Sequence, residues 1–127
     1  MTVANDDEVA RFLRAYHPTQ RIFREDDDGD AMYVVQEGSV DIFKGDGDAA
    51  IRLGTLGKGE FFGEMALVDR SPRSASAIAG PGGAKVLAID SAHFVYLVSQ
   101  QPAFALVVLE AVVSRLRGKN AALGKRA

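Results

Sequence analysis

A chain of 127 residues, 47% hydrophobic and 25% charged with a formal net charge of −2, is sized for one domain with a real core. That balance excludes an intrinsically disordered chain and one that holds nucleic acid by bulk charge. The lack of cysteine excludes disulfides, thiolate nucleophiles and zinc–thiolate centres.

The N-terminal "MTVANDDEVARFLRAYH" is acidic and has no apolar core, so it does not read as a signal peptide. Residues 6–16 place Val9, Phe12, Leu13 and Tyr16 at helical spacing, with Asp6 or Asp7 as cap and Pro18 as stop, and predict an N-terminal helix. From Gln20 to Asp90 the texture changes to short β-like pieces: "QRIFR", "AMYVVQ", "SVDIFK", "AIRLGTL", "SASAIA" and "AKVLAID". Alternation is clearest in Val40-Asp41-Ile42 and Ile51-Arg52-Leu53. Turn signals recur between the pieces, among them Asp28-Gly29, Glu37-Gly38, Gly57-Lys58-Gly59 and Pro81-Gly82-Gly83, a rhythm that predicts a sandwich or barrel. Ser91 then reads as the N-cap of "AHFVYLVSQ", and Pro102 opens a second helix, "AFALVVLEAVVSRLRGKNAAL".

The expected fold is therefore α+β, a single domain over 1–127. An antiparallel, jelly-roll-like β-roll of about eight strands fills 20–90, with helices at 6–16 and 91–123. No window approaches the roughly 20 apolar residues of a membrane span, so a cytoplasmic protein without membrane contact is expected. The cations Arg115, Arg117, Lys119, Lys125 and Arg126 read as a solvated helix end rather than a nucleic-acid surface.

Several apparent motifs dissolve on inspection. Asp26, Asp28, Asp30 and Glu37 sit at calcium-loop positions, but Ala31 stands where the loop needs glycine and "MYVVQ" reads as strand, not helix. "LGKGEFFGE" lacks the lysine–hydroxyl pair of a P-loop. His17 and His93 are too few for a metal cupin, and no serine occupies a nucleophile elbow, so no metal site and no enzyme activity are expected.

"FFGEMALVDRSPRSASA", 61–77, has a different character. Gly63 admits backbone angles closed to other residues, and "EMALV" has room for one or two helical turns. A helix begun this way turns its first N–H groups, near Glu64, Met65 and Ala66, toward whatever lies in front, a setting suited to phosphate. Glu64 can accept from a sugar hydroxyl, while the Arg73 fork matches phosphate oxygens and Ser74 adds a hydroxyl. Pro72 stiffens the approach to Arg73, and Ala75 and Ala77 leave space. On spacing alone, an anion-plus-sugar site and a plain Glu64–Arg73 salt bridge over a loop both remain open.

The segment "FGEMALVDRSPRSASA" resembles the phosphate-binding cassette of the cyclic nucleotide-binding domain family, whose members include catabolite activators, kinase regulatory subunits and channel gating domains. "FREDDDGDAMYVVQEGSVDIFK" is similar to the family's early β-roll, and "SRLRGKNAAL" to the helix that closes over the base, so the resemblance spans roughly 20–120. It implies that Gly63, Met65 and Ala66 offer backbone donors near the ribose-phosphate and that Glu64 accepts from the ribose 2′-hydroxyl. It implies further that Arg73 pairs with the cyclic phosphate, Ser74 supports the phosphate or touches the purine, and Leu56 lines the apolar side of the base. Arg115 would cap the purine, with Arg117 as the alternative.

Asp26 stands where family members commonly carry glycine; asparagine and aspartate tolerate a left-handed turn, and this loop is expected to lie far from the cassette. The implied function is a sensor with no cofactor, taking cyclic AMP first and cyclic GMP also, since the Ser74 hydroxyl could serve a guanine amino group. Its signal would be an inward pull of the cassette helix followed by movement of 91–120. With no room after Ala127 for a DNA-binding helix-turn-helix, the output is expected on another chain or in a longer protein. Leu106, Leu109, Val113, Leu116, Asn120 and Leu123, three and four apart, could form a homodimer seam or pack on the roll. The competing expectation is a non-binding interaction domain working through this helix; the joint presence of Glu64 and Arg73 weighs against it.

Overall fold

The long apolar runs "AMYVV" and "AKVLAI" become the middle of the molecule because both of their faces are buried. In the computed structural model, which describes residues 11–121 without the side chains of 111, 112 and 115–121, each run is one half of a long strand. In chain order the elements are β1 (Leu13–Tyr16), β2 (Arg21–Phe23), β3 (Ala31–Lys44), β4 (Ile51–Leu56), β5 (Phe61–Phe62), α1 (Met65–Val68), β6 (Ser76–Asp90), α2 (Ser91–Gln100) and α3 (Ala103–Ala121). All the pairings are antiparallel, in a 6-stranded sheet ordered β1-β6-β3-β4, with β2 also on β6 and β5 also on β3.

Successive side chains of β3 and β6 feed two cores. Tyr33, Val35, Phe62, Val86 and Ala88 face the interior of the roll with Val40 and Leu56. Met32, Val34, Phe61, Leu87 and Ile89 face the other way, onto Leu97 of α2 and Phe104 of α3. The helices thus cover the outer face of strands whose inner face lines the roll.

The fold class is as expected, with instructive differences in the elements. Glu37-Gly38 and Pro81-Gly82-Gly83 bend continuous strands instead of ending them, so six strands do the work of about eight. The β3–β6 register shifts at this bend, between Val35 and Glu37 and between Gly38 and Val40. The expected helix over 6–16 is corrected: helical backbone reaches only Phe12, and Leu13–Tyr16 is strand, pairing Leu13 with Leu87 and Tyr16 with Ala84. The free edge of β6 satisfies this backbone, and His17, preceding Pro18, is steered to extended geometry. Residues 6–10, with the Asp6 and Asp7 caps, lie outside the described residues.

The N-cap of α2 is Asp90, one residue before the expected Ser91. Its carboxylate accepts from the His93 N–H at 2.8 Å and also contacts His93 Nδ1 at 2.8 Å. The His93 N–H, the leading cause, holds the Asp90 carboxyl below the usual carboxylate range. Asp90→Ala should cost about 1 kcal/mol at neutral pH, a value kept low by the 45% exposure of the side chain. Because the folded-state pKa is depressed, this contribution is present above the unfolded value of about 3.9 and is lost as pH falls through the folded value. Melting curves of both proteins should differ at pH 7 and converge near the acid limit of folding.

Candidate functional site

The seventeen residues from Phe61 bring most of the expected site residues to one cleft. β5 pairs with the start of β3 (Tyr33↔Phe62), which brings the chain to the mouth of the roll. Gly63, at φ +77°, turns it sharply there; an added Cβ would lie 2.6 Å from an Arg73 nitrogen. α1 follows as a single turn whose Ala66 is buried while Met65 and Val68 are exposed. Of the N–H groups expected to face outward, that of Ala66 instead closes the turn on the Gly63 carbonyl at 3.3 Å.

Arg73 is the centre of the cleft. It is 6% exposed and Glu64 5%, a burial that charged side chains accept only with compensation. One terminal nitrogen of Arg73 donates to the Gly63 carbonyl at 3.0 Å, and the other to the Ala31 carbonyl at 2.8 Å. The guanidinium lies over the Phe23 ring, 4.2 Å from its centroid, and 5.6 Å from that of Tyr33. Its Nε is buried without a hydrogen-bond partner among the described residues. Burial raises the Tyr33 phenol pKa, and the nearby Arg73 charge partly offsets the rise.

The loop after β2 was expected to lie far from the cassette; the structure corrects this. The Asp26 N–H donates to the Arg73 carbonyl at 2.8 Å, and the Arg73 N–H donates to the Asp27 carbonyl at 2.9 Å. Asp26 occupies the left-handed region (φ +72°), which aspartate tolerates better than most side chains. Gly29 lies so close that a Cβ there would sit 2.3 Å from Arg73 Nε. "REDDDGD" is thus one wall of the arginine's slot, joined to it only by tertiary pairing that no sequence spacing reveals.

The cleft is small and open to solvent at its mouth, with a cavity volume of about 20 Å³. Gly63, Glu64, Met65, Ala66, Arg73 and Ser74 all line it, joined by Phe23, Ile42 and Phe62 from the roll. Leu56 is not among the lining residues; it is 4% exposed and packs in the inner core, while Ile42 presents the aliphatic surface. Ile42 and Phe62 were legible only as strand residues. The side chains of Arg115 and Arg117 lie outside the described residues. On α3, Phe104 and Val108 pack on the outer core, whereas Leu106, Leu109 and Val113 are 64%, 58% and 37% exposed. These three members of the expected seam do not pack on the roll; the side chains of Leu116 and Asn120, and Leu123, lie outside the described residues.

Residues 13–101 match the family model described as cyclic nucleotide-binding domain. The chain is 38% identical over 81 residues to a cAMP-dependent protein kinase type II regulatory subunit of Drosophila melanogaster, covering 64% of this chain and 22% of that protein. Its fold is similar to the crystal structure of the Thermus thermophilus catabolite activator protein, with a TM-score of 0.80 at 33% identity, over 92% of this chain and 56% of that one. It is also similar to the regulatory domain of Toxoplasma gondii PKA crystallised with cAMP, with a TM-score of 0.63 at 32% identity, over 83% of this chain and 41% of that one. The chain thus spans between about a fifth and somewhat over half the length of these relatives.

Proposed function

The chain belongs to the cyclic nucleotide-binding domain family, and from that premise we propose that it is a non-enzymatic sensor module, taking cyclic AMP first and cyclic GMP also. The observation that carries the proposal is the buried Arg73, which lines the cleft beside a sharp glycine turn and the buried Glu64 and whose Nε has no hydrogen-bond partner among the described residues. A cyclic phosphate would supply the charge-assisted partner the guanidinium lacks. Glu64 accepts from the ribose 2′-hydroxyl, and the N–H groups of the Gly63–Met65 turn face the phosphate. Phe62 and Ile42 give the sugar and base an apolar floor, with Leu56 buttressing it from within the core. Ser74, exposed at the rim, supports the phosphate or touches the purine, and Arg115 or Arg117 caps the base.

The relay follows from what α1 exposes. Met65 and Val68, 47% and 77% exposed, offer an apolar face that inward movement of α1 can cover with α2 and α3. The exposed Leu106, Leu109 and Val113 stripe favours a homodimer, or an output protein docking on the same helix, over packing on the roll. No direct contact with nucleic acid enters this scheme, and a cytoplasmic site follows from the ligand. Among the described residues no helix is long and apolar enough to cross a membrane.

Amide NMR of the labelled chain tests the reading. Saturating cyclic AMP should move the Gly63, Glu64, Met65, Arg73 and Ala75 amides while leaving β1 and β4 nearly still, and 5′-AMP should do far less. Shifts confined to α3 would contradict the site. Gly29→Ala offers a second check: the atoms nearest the intruding methyl all belong to the Arg73 side chain, so the arginine is displaced from its carbonyl contacts. Affinity for cyclic AMP should fall by about tenfold or more, the scale of one charge-assisted contact, with some loss of melting temperature as the Gly63 and Ala31 carbonyls lose their donors.

A further inference from the structure

The exit of the cassette is held by a side chain that no sequence motif marks. Lys44, the last residue of β3, donates from Nζ to the Ser74 carbonyl at 2.6 Å. The same ammonium lies 3.2 Å from Glu25 Oε2, while Glu25 Oε1 accepts from the Gly45 N–H at 2.9 Å. Backbone from the β2–β3 loop already grips Arg73 at both its N–H and its carbonyl, and the Glu25 N–H donates to Ser76 Oγ at 2.9 Å. Ser74 lies between these fixed points, is exposed, and among the described residues has its carbonyl held by Lys44 alone. The peptide plane between Ser74 and Ala75 is therefore set from outside the pocket by a lysine whose side chain is 55% exposed.

We infer that Lys44 is a positioning residue for the cyclic-nucleotide site: by holding the Ser74 carbonyl it orients Ser74 and the Ser74–Ala75 peptide beside Arg73 without touching the ligand. This rests on the sensor reading above. A surface ion pair with Glu25 contributes little on its own. The bond to the carbonyl is charge-assisted and fixes a residue of the site, so its loss reads out in binding before it reads out in stability. The separation from Glu25 is chemical: glutamine at position 25 keeps an acceptor for the Gly45 N–H and removes only the charge facing Lys44.

The test compares the intact chain with Lys44→Met, Lys44→Arg and Glu25→Gln, by calorimetric titration with cyclic AMP and by amide NMR of the ligand-free proteins. Lys44→Met should weaken binding about fivefold or more, the size of one hydrogen bond from a charged donor at a partly exposed position, with a melting temperature close to that of the intact chain. Its Ala75 amide, in the same peptide plane as the Ser74 carbonyl, should shift. Lys44→Arg should restore most of the affinity, and Glu25→Gln should stay within about twofold. Equal affinity of Lys44→Met and the intact chain, or an equal loss in Glu25→Gln, overturns the role of Lys44 while leaving the sensor reading intact. Failure of the intact chain to bind any cyclic nucleotide overturns the sensor reading, and this inference with it.

Discussion

Arg73→Ala should weaken binding of cyclic AMP by a factor between roughly thirty and several thousand, the equivalent of about 2–5 kcal/mol for a buried charge-assisted contact. The size follows from burial: at 6% exposure the guanidinium acts where water competes poorly, and a phosphate facing its Nε would find no substitute donor. The substitution also leaves the Gly63 and Ala31 carbonyls without their donors and uncovers the Phe23 ring, so some stability is lost alongside affinity. Arg73→Lys separates the two effects. It keeps the charge but not the fork that reaches both carbonyls and the ligand at once, so it should retain part of the stability and little of the affinity. Titration calorimetry paired with urea unfolding checks both halves.

The second large effect concerns stability and lies at the opposite end of the roll. Gly38→Ala should lower the unfolding free energy by about 3–5 kcal/mol, in the exceptional range for a single methyl. An added Cβ would stand 2.1 Å from the Gly83 carbonyl oxygen and 3.1 Å from Ala84 Cα, and both are backbone that cannot rotate aside. Gly38 also has φ +74°, where a side chain is strained even in open space. Gly83 in turn sits at φ +80°, with the Tyr16 carbonyl 2.9 Å from where its own Cβ would be. β3, β6 and β1 therefore cross this bend in contact, backbone on backbone, and no side-chain repacking can absorb the methyl. Urea unfolding followed by far-ultraviolet circular dichroism would measure the loss; a change below about 1 kcal/mol would mean that the bend yields.

The cassette was legible because its determinants are local. A glycine turn, a one-turn helix, an arginine after proline and a run of small residues lie within one stretch, and each has its own backbone or charge requirement. The long strands were legible as apolar runs but not as continuous strands, because Gly38 and Gly83 carry the same signal whether they end a strand or bend it. The strand Leu13–Tyr16 was hidden for another reason: Phe12, Leu13 and Tyr16 do have helical spacing, and only the unpaired edge of β6 decides against it. Asp26, Gly29 and Lys44 reach the cassette through pairing of segments 30 to 47 positions apart, information that residue types and spacing do not contain. Leu56 shows the converse: its apolar character was plain, but whether it faced the core or the cleft depended on the β3–β4 register, which pairs it with Val40.

The most direct test is calorimetric titration of the unaltered chain, freed of any nucleotide carried through purification, with cyclic AMP, cyclic GMP and 5′-AMP. A sensor built around Arg73 and Glu64 predicts one saturable site per chain, cyclic AMP tighter than or equal to cyclic GMP, and 5′-AMP weaker than both, since its open, doubly charged phosphate fits the turn at Gly63 poorly. Heat of dilution alone for all three ligands would contradict it, and would leave the buried guanidinium as a strut between the Ala31 and Gly63 carbonyls.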